Sequence, residues 1–288
     1  MNSQRLFVWA LLWGSWLLIG CTNVPNREDP LLLSLFTPIS ENNLEHHNND
    51  SSTVFVNVRL FDKVTEAPGS GSGSFSDPNK AINGVFGCGK TCGSLDVYSL
   101  KSNSNAMYCK PNEKCIVLEI EGKKIQNGSG IDFVVFENPF CIGGESNCGT
   151  SHFMEPVIVE VSYDGLNWCG WNPEYTGDSS NASLNHPNNW KRFAGIEPVV
   201  YNQNTWTLTE EEIFDKTKAG GDGFDLEDPN FGQSGDNCTP SVKNQILNDG
   251  FIYLRLTTSF SRGFPLTPGS FDQASDIDGV VAKYVTDR

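Results

Sequence analysis

Asp222, Asp225, Glu227 and Asp228 stand in one Gly-rich segment of the chain, and Asp276 and Asp278 in a second. Calcium takes about six to eight oxygen ligands and favours such mixtures of carboxylates and backbone carbonyls. Neither segment has EF-hand spacing, so a structural Ca2+ is expected only where the two loops meet. The dipeptides Asp222-Gly223 and Asp278-Gly279 also have the form of turns, which is the competing role for the same residues.

A second chemistry-bearing group is aromatic. Trp168, Trp171, Tyr175 and Trp190 sit among Asn, Gly and Pro in one long stretch. Rings stack on sugar faces while amides bond sugar hydroxyls, so these four are candidate ligand contacts. The same residues equally serve to anchor a long loop on a sheet, with the ring buried and its N–H or O–H bonded. Hydrolytic chemistry has less behind it. His152 and His186 are the only histidines beyond the polar N-terminal stretch, and neither lies in a GxSxG or HExxH context. Pairs of carboxylates of the glycosidase kind are unavoidable among 35 Asp and Glu, and the expectation is a protein that binds without catalysing.

Nine cysteines make an odd count. Leu18-Ile19-Gly20-Cys21 resembles the bacterial lipobox, which implies cleavage before Cys21 and acylation of that residue. The apolar run before it, residues 6–19, is shorter than the roughly 20 residues that span a bilayer as a helix. More than one acyl chain turns transient membrane contact into stable anchoring. Eight cysteines then remain, an even number suited to an oxidising compartment. They allow about 105 connectivities, of which spacing favours Cys88 with Cys92, Cys109 with Cys115 and Cys141 with Cys148, leaving Cys169 for Cys238. A zinc site from Cys88, Cys92 and Cys109 would lack paired CxxC spacing.

The elements that must position these groups read as strands. Phe133–Phe136 is a continuous apolar run that suits a strand buried on both faces. In Val157–Ser162 the valines alternate with Ile158, Glu160 and Ser162, which predicts one wet face. Val54–Leu60, Cys115–Ile120, Phe251–Leu256 and Gly279–Val285 complete the expected strands. Asp77-Pro78 predicts a single helical turn over residues 79–82. Thr209 through Glu212 has the form of a capping box and predicts the one short helix, Glu210–Lys218. The formal charge of −15 excludes nucleic acid as a partner, and residues 22–52 are polar enough to be a tether.

The segments FSDPNKAINGVFG, DFVVFENPF, FMEPVIVEVSYDGLNW, AGGDGFDLED, FIYLRL and DIDGVVAKY, in this order, resemble a broad group of bacterial cell-surface proteins, and the leader and tether resemble spirochaete surface lipoproteins of the Leptospira type. The likeness runs over roughly Phe75–Tyr284 and implies an all-β, jelly-roll-like β-sandwich of the galactose-binding kind, with long disulfide-stapled loops. Glu137, Asn138 and Glu155 match the resembled motifs at strand ends and are expected to complete the acidic site. The eight domain cysteines and the insertion over Trp168–Thr207 depart from the commoner pattern of the group. The expected organisation is a signal peptide over residues 1–20, a lipidated N-terminus and tether over 21–52, and the sandwich over 53–288. The implied setting is the outer membrane and cell surface, and the implied partner is a host extracellular-matrix or other host protein, or a glycan. A structural envelope lipoprotein without soluble ligand is the alternative, and a glycan hydrolase ranks behind it.

Overall fold

The computed structural model describes residues 56–270 and 273–288. The leader, Cys21 and the tether lie outside these residues. Ten strands form two antiparallel sheets of five. They are β1 (Arg59–Leu60), β2 (Lys63–Glu66), β3 (Tyr98–Ser99), β4 (Cys115–Glu119), β5 (Phe133–Glu137), β6 (Val157–Ser162), β7 (Cys169–Gly170), β8 (Asp222–Phe224), β9 (Tyr253–Thr258) and β10 (Asp276–Ala282). One sheet has the order β1-β10-β5-β8, with β3 also pairing on β10, and the other has the order β7-β6-β9-β4-β2. Phe133 and Val135 of the first sheet and Ile116, Val159, Leu254 and Leu256 of the second share one core. The fold is therefore all-β and of sandwich type.

The outer face of each sheet is covered as well. Val134 and Phe136 point away from the shared core into a second cluster with Val199, Ile213 and Ala219, supplied by the chain before β8. That accounts for the unbroken apolar run in β5. On β6 the expected wet face does not exist, and all six residues are buried. Ile158 lies under Leu184, Trp190 and Phe193. Glu160 is 2 % exposed and its Oε2 lies 2.7 Å from a guanidinium nitrogen of Arg255, its direct cross-strand neighbour on β9. The same guanidinium reaches Asp236 at 2.6 Å and lies 4.4 Å from the Trp168 ring centre. Burial of a charge is tolerated because its partners are buried with it.

All four disulfides favoured by spacing are present: Cys88–Cys92, Cys109–Cys115, Cys141–Cys148 and Cys169–Cys238. The helix expected over Glu210–Lys218 is not. Its capping box forms, with Glu212 N–H donating to Thr209 Oγ1 and Thr209 N–H to Glu212 Oε2, but only a single 3-10 turn follows, Glu212–Phe214. Asp215 leaves the helical region at ψ 103 and its carboxylate accepts the Thr217 N–H, so the chain bends round to lay Ile213 and Ala219 on the outer face of β5. The longest helix among the described residues is Pro240–Asp249, opened by Thr239 and Pro240 and stopped at Gly250. The turn expected after Asp77 forms as a 3-10 turn over Pro78–Ala81.

Glu160→Ala should leave the Arg255 charge buried with half its compensation. The expected loss is about 3 kcal/mol of unfolding free energy in urea, largely restored when Arg255 is also replaced by Met. A loss under about 1 kcal/mol would mean that Asp236 alone neutralises the guanidinium.

Candidate functional site

The segment after β7 is built to stay put. Trp171 and Trp168 are each 2 % exposed and Trp190 3 %. Every indole N–H has an internal acceptor: Trp168 donates to Gly165 O at 3.1 Å, Trp171 to Asp225 O at 2.8 Å and Trp190 to Leu184 O at 2.9 Å. Tyr175 packs on Trp190 with ring centres 4.5 Å apart, and its O–H donates to Asp178 O. Of the two roles open to these aromatics, the structure has them as anchors, with no ring face presented to solvent by the three tryptophans.

What the anchoring creates is a cleft of ≈ 750 Å³. Asn188, Trp190, Arg192 and Phe193 line it from the segment after β7, Asp222, Phe224, Asp225 and Asp228 from β8 and the residues that follow, and Lys216 and Glu197 from the chain between these two stretches. The hydrogen bond from Trp171 to Asp225 O ties the segment after β7 to the residues after β8. Asp132, buried beneath, accepts the Leu226 N–H through Oδ2 and the Gly128 N–H through Oδ1, which fixes the backbone beside Asp225. Asp222 turns its carboxylate inward to accept the Ile196 N–H at 3.0 Å, holding the turn after Phe193.

Arg192 lies at φ 63 and Asn172 at φ 49. Asn tolerates the left-handed region, whereas for Arg it costs on the order of 1 kcal/mol. The strain is held by the guanidinium, whose Nε donates to Asn172 O at 2.7 Å and whose NH2 group pairs with Glu174 at 3.2 Å. Backbone strain of this kind clusters at active sites and ligand clamps.

The carboxylates expected to share one cation are in three places. Asp222 and Asp225 border the cleft. Asp278 is fully buried at a β-bulge in β10, where both its oxygens accept the Phe86 N–H at 2.9 and 3.1 Å. Glu137 and Asp276 lie together at the ends of β5 and β10, with Asp276 N–H donating to Glu137 Oε1 at 2.9 Å. Asn138 is a loop latch, accepting from Ser94 N–H and donating to Ser94 O. Among the described residues the one close group of His, Cys, Asp and Glu is Cys141, Cys148 and His152. Its sulfurs are joined in a disulfide and its imidazole nitrogens face Ile196 O and Cys148 O, so its donors are already used. Sequence reasoning missed Asn188, Arg192, Glu197 and Lys216; their placement depends on the loop path, and only the Asn-rich context of Asn188 marked it at all.

No helix among the described residues is long and apolar enough to cross a membrane. Burial raises the carboxyl groups of Asp132 and Asp222 to about 7, above their unfolded value of about 3.9. The folded protein therefore binds more protons than the unfolded chain between these values. The stability they contribute is complete below about pH 4 and is lost as pH rises through about 7. Asp236 is pulled upward by burial but held below the ordinary range by its bonds to Lys110 and Arg255, so its contribution is lost only in stronger acid. Thermal unfolding should accordingly give a higher midpoint near about pH 5 than near about pH 8, and a midpoint that climbs over that interval would contradict the assignment. Comparison of the chain with protein-family models, with curated proteins and with solved structures gives no match.

Proposed function

We propose that this protein is an exported, lipid-anchored binding module of jelly-roll type, tethered through Cys21 at the cell surface, whose cleft takes a glycan. The observation that carries the reading is the cleft, whose lining combines aromatic residues with a polar set in which Asp225, Asp228 and Asn188 stand among Arg192 and Lys216. Sugar hydroxyls donate and accept at once, so a lining mixing carboxylates, an amide and cations suits a polyhydroxylated ligand of little net charge. A concave site also fits a short saccharide better than the face of a folded protein. Trp171 and Trp190 line the cleft but are buried, so polar contacts rather than open stacking carry recognition. Asp222 is spent on the Ile196 N–H, so Asp225, Asp228 and Glu197 are the carboxylates the cleft has for a ligand. Host matrix glycoproteins that display such glycans are the partner class.

The test is saturable binding of the full-length protein on a glycan array and on immobilised matrix glycoproteins. Lys216→Ala should weaken it about tenfold, in line with loss of one charged hydrogen bond. Arg192→Gly should weaken it similarly while leaving the melting temperature unchanged or raised, because glycine relieves the left-handed strain. Absence of any saturable glycan would favour a structural envelope lipoprotein, and release of cleaved sugar a hydrolase. Cys21→Ser should abolish acyl labelling and free the protein from membranes, and labelling that persists would end the lipoprotein reading.

A further inference from the structure

Three of the four disulfides have at least one sulfur inside the fold: Cys109, Cys115, Cys141 and Cys169 are all buried. The fourth is different. Cys88 is exposed, the only one of the eight paired cysteines that is, and Cys92 is half-buried. Gly89 between them has no atom within 4 Å of where a Cβ would stand, so the loop is open on that side. The Cys88–Cys92 bond also closes the shortest loop, with a sequence separation of 4 against 6, 7 and 69, and so restrains the unfolded chain least.

The path of this segment is held by other means. At its start, Gly87 N–H donates to Tyr201 O at 2.9 Å and Gly89 N–H to Val199 O at 3.1 Å, while Asn202 Nδ2 donates to Gly87 O at 3.0 Å. Between the two cysteines, Lys90 O accepts the Cys141 N–H at 2.7 Å. At its end, the Asn138 amide accepts the Ser94 N–H and donates to Ser94 O at 3.1 Å, with Gly93 pressed so closely on it that a Cβ would lie 2.9 Å away. Hydrogen bonds to three separate parts of the chain therefore fix residues 87–94 whether or not the two sulfurs are joined. A cross-link that solvent reaches and that the local geometry does not need belongs to the labile class, because exposed disulfides have more oxidising potentials than buried structural ones and exchange at a rate set by access.

We propose that Cys88–Cys92 is a thiol–disulfide exchange site, which accepts two electrons from a dithiol at the protein surface while the other three disulfides and the fold stay intact. A thiolate of the dithiol attacks Cys88 Sγ, the exposed sulfur; a mixed disulfide forms, the bond between the two cysteines breaks, and Cys92 leaves as a thiolate. The second thiolate of the dithiol then attacks its own sulfur in that mixed disulfide, and Cys88 leaves in turn. The dithiol ends as a disulfide, and its two protons pass to Cys88 and Cys92. None of residues 88–92 lines the cleft, so this chemistry is independent of what the cleft takes.

The test is timed reduction of the full-length protein with dithiothreitol in the absence of denaturant, with alkylation by N-ethylmaleimide and peptide mapping by mass spectrometry. Cys88 and Cys92 should be labelled at least about tenfold faster than any other cysteine of the four disulfides. Near-UV circular dichroism should be unchanged when labelling of that pair is complete. Replacing both residues, Cys88→Ser with Cys92→Ser, should remove the fast phase and leave one cooperative melting transition. Labelling that begins at Cys141 and Cys148, or at either remaining pair, would overturn the proposal. So would release of the Cys88 and Cys92 thiols only as the near-UV signal is lost, or a double variant that no longer folds, since either result would make the bond structural.

Discussion

Burial of β5 on both faces is the constraint on which the rest of the molecule depends. A strand in a two-layer sandwich ordinarily needs one apolar face, and its other face can stay wet. Here Phe133 and Val135 enter the shared core while Val134 and Phe136 face outward. A third layer has to cover them, and the chain between Val199 and Ala219 supplies it with Val199, Ile213 and Ala219. Gly221, at φ 71, then lets the backbone press against the Phe136 ring, where a Cβ would come within 2.6 Å. The chain enters β8 directly from that contact, so the part of the cleft lining that carries Asp222 and Asp225 is placed by the packing of an apolar strand.

The second sheet solves the same problem with charge. Its outer face carries Glu160 and Arg255 side by side in register, and neither is left to solvent. The indole of Trp168 closes over the guanidinium, and Cys169, the next residue, is joined to Cys238 across a sequence separation of 69. A loop of that length is worth about 4 kcal/mol in the chain-entropy account, against about 2 kcal/mol for the shortest of the other three. Asp236, a ligand of the same Arg255, stands two residues before that cysteine. One cross-link thus fixes the loop that supplies the counter-charge, and the ion network and the disulfide each make the other's geometry cheaper to hold.

Local pattern made some of this legible in the sequence. The apolar run of β5, the alternation of β9 and the short cysteine spacings are statements about neighbours along the chain, and all three appear in the fold. Misreadings arise where a distant residue decides. Alternation in β6 was a sound sign of a strand, but the face of Glu160 is determined by Arg255, 95 residues away. The capping box at Thr209 formed and still led to one turn, because the outer face of β5 needed Ile213 and Ala219 more than residues 215–218 needed helical hydrogen bonds. Conversely, Thr239, Pro240 and Gly250 bracket the helix Pro240–Asp249 with an N-cap, a first-turn proline and a stop glycine. The capping signal stands without a pattern to support it, because the segment PSVKNQILND has little apolar periodicity and only Ile246 is fully buried.

The aromatic stretch shows how a residue type can carry a structural role that its context along the chain does not reveal. Rings among amides read as a stacking surface, but each indole packs on a sheet residue, Trp168 with Val117, Trp171 with Phe133 and Trp190 with Ile158, and gives its N–H to a backbone oxygen. Consuming them there is what makes a cleft possible, since a loop this long between β7 and β8 would otherwise order only at a large entropic cost. The polar groups that line the cleft are carried on backbone whose path the indoles have already fixed. Arg192 can therefore be held in a left-handed conformation that an unanchored loop would relax within one residue. The polar side chains that line the cleft sit one shell out from its anchors, on residues that sequence alone gives no reason to single out.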